Sequence, residues 1–244
     1  MSNEERKEEE KRFNPTFENG GYWEYYKDIE RQFDDFLEYV PYLEGNEQTY
    51  SFKLLNLFLS IGGHIDSAFK EMARYSEFVE KPSCVEILRR AEEKSGIIVS
   101  GIRAFDDIYG LCSKKVMFKS LPERTILAPF KDTIPEWWNY YNDIKHNVSD
   151  NLKKANLKNV RDALAGAFLL NVIHKPAKDR LFKYHLIAPK YQQGTSFWEV
   201  FNDKFDDQEM YPKRDPRINY KNPFTIETPL FLYDYEEYQT VSPK

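Results

Sequence analysis

The chain has 244 residues, a formal net charge of −5, 41% hydrophobic and 16% aromatic residues, and two cysteines. That length is ample for a buried core, and 18 Phe, 17 Tyr and 4 Trp are too much apolar surface to leave in water, so a wholly disordered chain is excluded. Mild acidity disfavours a general coat on duplex DNA, Cys84 and Cys112 are too few for a disulfide framework, and no apolar run nears the roughly 18 residues of a membrane span.

Residues 1–12 are nearly all charged and lack the apolar centre of a secretory signal. They read as part of a solvated tail over 1–15, and a reduced, cytoplasmic location is the default expectation. Asn14-Pro15 and Gly20-Gly21 punctuate the start of the folded part. Tyr22, Tyr25, Tyr26, Ile29, Phe33, Phe36, Leu37 and Val40 then recur at steps of three and four, which predicts an amphipathic helix over 22–43. Its charges, Lys27, Asp28, Glu30, Arg31, Asp34 and Asp35, are assigned to the opposite, solvated side. Gly45-Asn46 breaks it, and a second helix is predicted over 47–75, apolar on several sides between 52 and 65 and therefore central. Gly62-Gly63 inside it marks a close helix approach or a kink. Ser83 caps a third predicted helix, 84–109, with Val85, Leu88, Ala91, Ile97, Ile98 and Ile102 as its buried stripe. Three long amphipathic helices in a row favour an antiparallel bundle.

Between 110 and 132 the period changes. Residues 115–119 and 125–130, with Pro122 and Pro129 as breakers, read as one or two short strands or plain loop in a crossover. Asp132 or Thr133 is expected to cap a fourth helix, with Pro135 and Glu136 in its first turn and Ile134, Trp137, Tyr141, Ile144 and Val148 as its core-facing seam. Asn156 caps a fifth, with Leu157, Val160, Leu164, Ala167 and Phe168 in its stripe and Pro176 beyond its end. Residues 182–187 alternate like a strand, and prolines crowd the region after 212. The expectation is a mainly α protein: an up-and-down helical bundle over 16–176, then an extended, largely irregular segment over 177–244 with at most short strands. Phe224, Ile226, Leu230, Phe231, Leu232 and Tyr233 would strap that segment onto the bundle.

The chain has no Gly-rich phosphate loop, no nucleophile elbow, no H-E-x-x-H and no Cys-x-x-Cys, so no cofactor and no metal is implied. The pairs Asp34-Asp35, Asp106-Asp107 and Asp206-Asp207 read as solvated faces, because helical neighbours one apart do not converge on one point. His64 reads as a hydrogen-bonded core or interface histidine, His174 as a helix cap, and Trp137-Trp138 as core in preference to a stacking platform. His146 has the most suggestive surroundings. Asn139, Asn142 and His146 share one polar strip of the fourth helix, with Lys145 at its edge. A cation, an imidazole and amides at a helix C-terminus suit binding a phosphate and activating a ribose 2′-hydroxyl. The same residues equally suit a helix end whose dipole favours cations.

Trp137-Trp138, Tyr141-Asn142-x-x-Lys145-His146, Ala155-Asn156-Leu157 and the run Ala163-Leu164-Ala165-Gly166-Ala167-Phe168-Leu169-Leu170 resemble HEPN-like, Abi-type prokaryotic helical proteins. The similarity covers 20–175, and its specific part is 135–170. The resemblance implies an all-α up-and-down bundle, commonly a homodimer, in toxin–antitoxin, abortive-infection or other defence systems. Many members resemble metal-independent endoribonucleases that use an Arg and, four to six residues later, a His. Carried onto this chain, His146 becomes the acid/base, Lys145 the phosphate-binding cation and Asn142 their support. No Arg precedes His146 at that spacing, however, and Lys lacks the planar fork of guanidinium. The literal Arg-x4-His, Arg180 to His185, falls in the strand-like stretch and reads as coincidence. The functional expectation is therefore a defence or stress protein acting as an interaction module with RNA or a partner protein; the alternative is an RNA-cleaving toxin.

Overall fold

The computed structural model describes residues 21–79, 106, 110–119, 124–131, 134–173, 188–189 and 224–234. Apart from Asp106, the third predicted helix lies outside the described residues, as do His174, Arg180, His185 and Asp206-Asp207.

Helix α1, Gly21–Leu37, forms because Trp23, Tyr26, Ile29 and Phe33 fall on one face, and all four are buried. Its outer face carries Arg31, bonded to Asp28 at 2.7 Å and Asp35 at 3.2 Å, exposed pairs that add little stability. It ends six residues before the predicted 43, because Pro41 disfavours helical backbone at the residue before it. Glu30 corrects the sequence reading more sharply. It is buried, not solvated, since Tyr26, Glu30 and Phe33 step by four and three along the apolar face.

Helix α2, Phe52–Val79, starts later than predicted. The Ser51 hydroxyl accepts from the Leu54 amide at 3.1 Å, so Ser51 acts as its cap. Residues 47–50 are diverted to the start of another helix. The Thr49 and Glu47 carbonyls accept from Leu157 and Lys158 amides at 2.9 and 3.1 Å, satisfying donors that a helix N-terminus leaves open. Gly62 stands where a Cβ would overlap the ring edge of Tyr141, whereas at Gly63 it would meet nothing within 4 Å.

Helix α3 is Glu136–His146, α4 is Val148–Asn151, and α5 is Leu157–Ile173. Asn156 caps α5 as predicted, accepting from the Asn159 amide at 2.9 Å. The predicted stripe of α5 is too narrow. Every residue from Ala163 to Ile173 is buried, so α5, more than α2, is the central helix, packed by α1, α2, α3 and the sheet.

The sheet is the main departure from an all-α bundle. Strands β1 Val116–Phe118, β2 Thr125–Leu127, β3 Ala188–Pro189, β4 Phe224–Glu227 and β5 Phe231–Asp234 form one five-stranded antiparallel sheet ordered β2-β1-β5-β4-β3. It draws strands from either side of Pro176, with Met117 facing Leu232 and Phe118 facing Phe231. The segment read as an irregular strap is thus in part a β-hairpin, and it anchors as expected: Ile226, Leu230, Phe231 and Tyr233 are buried. Phe231 stacks on Phe168 of α5, with centroids 5.5 Å apart and an interplanar angle of 21°. The hairpin turn is held by Glu30. Its Oε1 accepts from the Thr228 hydroxyl at 2.5 Å and the Leu230 amide at 3.1 Å. Burial raises the Glu30 pKa, against the lowering effect of these bonds. Among the described residues no helix is long and apolar enough to cross a membrane.

Candidate functional site

Helix α3 carries the three residues singled out from sequence. It starts at Glu136 behind Pro135, with no side-chain cap; Asp132 and Thr133, the expected caps, lie outside the described residues. Trp137 and Trp138 are both buried, and the Trp137 indole N–H donates to the Pro129 carbonyl at 3.1 Å. Both rings are therefore core, as the spacing suggested. The seam is shorter than predicted: Tyr141 and Ile144 are buried, while Ile134 and Val148 are exposed at 42% and 38%.

At the other end of α3, Asn142 is half-buried and Lys145 and His146 are exposed. Asn142 and His146 are one turn apart on the same face, and Lys145 lies three residues on from Asn142. The Lys145 ammonium stands 5.7 Å from the centroid of the Tyr141 ring, a cation–π contact. Behind them the helix end is tied down. The Asp143 carbonyl accepts from the Asn147 amide at 2.9 Å and from Asn151 Nδ2 at 3.2 Å, while Lys154 Nζ reaches the Asp143 carboxylate at 2.7 Å. Asn147 then caps α4, accepting from the Asp150 amide at 3.3 Å. The three predicted residues thus share one ordered helix end open to solvent, not an enclosed pocket.

The cavity lies elsewhere. A cleft of about 320 Å³ opens between the 126–131 segment, the start of α3 and the first turns of α5. Its lining includes Lys131, Glu136, Lys158, Asn159, Arg161 and Asp162, and none of Asn142, Lys145 or His146. Sequence reasoning missed Arg161. Its guanidinium lies 4.6 Å from the Tyr42 ring centroid, and its Nε and Nη2 both donate to Asp162 Oδ1, at 2.8 and 2.6 Å. Burial raises the Asp162 pKa, and the Arg161 charge opposes that rise. The available signal was an arginine just before the continuous apolar run that starts at Ala163, with Asp162 beside it as the partner that a buried cation needs.

His64 is a core histidine, as expected. Asn171 Nδ2 bonds its Nε2 at 2.9 Å and also donates to the Ala167 carbonyl at 2.8 Å. An amide donor on Nε2 leaves the neutral ring's proton on Nδ1, which is buried and finds no hydrogen-bond partner among the described residues. Tyr22 and Tyr25 pack on the ring, each with centroids 5.4 Å away. Burial pushes its pKa down to about 4. Among the described residues no group of three or more His, Cys, Asp and Glu side chains is placed to hold a metal ion. Compared with known protein families, curated proteins and solved structures, the chain matches none.

Proposed function

We propose that the protein is a HEPN-like helical module of a prokaryotic defence or stress response, associating with RNA as an interaction protein and working as a homodimer. The observation that supports this reading is the end of α3, where Lys145 and His146 are exposed beside Asn142 on a helix end held by Asn151 and Lys154. A fixed cation and imidazole suit a phosphate backbone. Their position on an open surface, away from the cleft, favours binding over cleavage.

Fluorescence anisotropy with a labelled single-stranded RNA tests this. Lys145→Ala should weaken binding uniformly across sequences and lower the salt slope by about one. His146→Ala should weaken it as well, through loss of a hydrogen-bonding group beside the phosphate. Wild-type protein that fails to bind RNA, or a double variant that binds as well as wild type, refutes the reading. Metal-independent cleavage of the RNA, abolished by His146→Ala, would establish the endoribonuclease alternative instead.

A further inference from the structure

The cleft beside Arg161 plays no part in that reading, and its lining is chemically divided. Arg161 and Asp162 neutralise each other, but only through one carboxylate oxygen: Oδ1 takes both guanidinium bonds, and Oδ2 takes none from the described residues. Asn159 donates its amide to the Lys154 carbonyl at 2.8 Å, which leaves its Oδ1 as an acceptor. Lys131 and Lys158 line the same space, and among the described residues neither has a carboxylate within ion-pair distance. Ile126, Leu127, Pro129, Pro135 and the edge of Trp137 supply apolar wall.

Neither ammonium is held in a close ion pair, although the Lys158 charge already acts on Asp162 across the cleft, so both are open to an added anion. A bare anion fits poorly, because Asp162 and Glu136 share the cleft and would repel it. The lining instead asks for a ligand that carries a phosphate at one end, hydrogen-bond donors elsewhere and a flat or apolar body between. About 320 Å³ is enough for a small organic molecule of that kind. We infer that the cleft binds a phosphorylated nucleoside. Its phosphate meets Lys131 and Lys158, its hydroxyl or amine donors meet Asp162 Oδ2 and Asn159 Oδ1, and its base lies against the Pro129 and Pro135 wall.

Titration calorimetry of the full chain with AMP, adenosine, ribose 5-phosphate and inorganic phosphate tests the inference. AMP should bind saturably at one site and more tightly than each of the other three. Lys131→Ala and Lys158→Ala should each raise the AMP dissociation constant about tenfold, the usual effect of losing one charge-assisted contact. Lys53→Ala, an exposed change on α2 outside the cleft, is the control and should leave it unchanged. The lysine variants sit at the cleft surface, and unchanged thermal melts will show that they fold. No saturable AMP binding overturns the proposal. So does AMP binding no tighter than phosphate, adenosine or ribose 5-phosphate, or binding indifferent to both lysine changes.

Discussion

Acidification should destabilise this protein through one residue. His64 is buried, accepts a hydrogen bond from Asn171 and is packed by Tyr22 and Tyr25, so the folded state holds it neutral. Its pKa falls from 6.5 to about 4 on folding, because burial penalises the imidazolium. A depressed folded pKa means that the unfolded chain binds the proton first. The stabilisation is therefore fully present above pH 6.5 and is lost as pH falls towards 4. At about 1.36 kcal/mol per unit, the loss between pH 7.5 and 5 is roughly 2 kcal/mol, and about 3 kcal/mol by pH 4. Urea unfolding followed by tryptophan fluorescence at several pH values measures the slope. His64→Phe keeps the ring volume but cannot titrate, so its stability should fall by about 2 kcal/mol less than wild type over that interval, whatever its stability at neutral pH. His64→Gln, which retains an acceptor for Asn171, should show the same flattened profile. Equal slopes for wild type and both variants would refute the argument, as would an imidazole titration near 6.5 observed by NMR in the folded protein.

Glu30 should act with the opposite sign. Its folded pKa is raised, chiefly by burial, so stability from this group is present below the unfolded value of 4.5 and is lost as pH rises through the folded value. Glu30→Gln keeps an acceptor for Thr228 and Leu230 without the buried charge, and should be at least as stable as wild type at pH 7, its advantage shrinking towards pH 4.5 in the same unfolding assay. Glu30→Ala should destabilise by about 1–3 kcal/mol, because it strands the Leu230 amide and leaves the Thr228 hydroxyl only its longer bond to the Phe231 carbonyl; amide exchange at residues 228–231 should accelerate with it. Gly62→Ala forces a methyl into the Tyr141 ring and should destabilise by about 1–3 kcal/mol, whereas Gly63→Ala meets open space and should be neutral or add up to about 1 kcal/mol. Thermal melts of the pair will separate them; equal melting temperatures would refute the assigned contact. Asn156→Ala should lower stability by about 1 kcal/mol through loss of the α5 cap.

What sequence could supply was whatever lies within one helix or one strand. The seam Trp137–Tyr141–Ile144, the Asn156 cap, the core placement of His64 and both tryptophans, and the strands at 116–118 and 125–127 all depend on short-range spacing. The errors arise where a distant segment intervenes. Residues 47–50 have helical periodicity, yet their carbonyls are taken by the start of α5, and Asn156 Nδ2 bonds Gln48 across 108 positions. The apolar anchors at 224–233 were visible but were read as an irregular strap, and nothing local shows that β5 inserts between β1 and β4. Glu30 belongs to both cases. A strict three-and-four count from Tyr26 to Phe33 puts it on the buried face, and its charge outweighed its position until the hairpin supplied donors from 198 and 200 residues away.

The same distinction explains why sequence led to one candidate site and the structure adds another. Asn142, Lys145 and His146 are neighbours on one helix, so their grouping follows from a spacing of three and four, whatever the rest of the chain does. The cleft exists only because three separate segments, 126–131, 135–137 and 158–162, are brought together by the packing of α3 and β2 around α5. Its key pair, Arg161 and Asp162, is adjacent in sequence but becomes informative only once Tyr42 covers the guanidinium and burial raises the carboxyl pKa. An open helix end and a half-open, charge-divided cleft ask for different ligands, one an extended backbone and the other a single small molecule. Removing Lys145 and removing Lys158 should therefore affect different binding measurements, and a variant of either that impaired both would mean the two surfaces act as one.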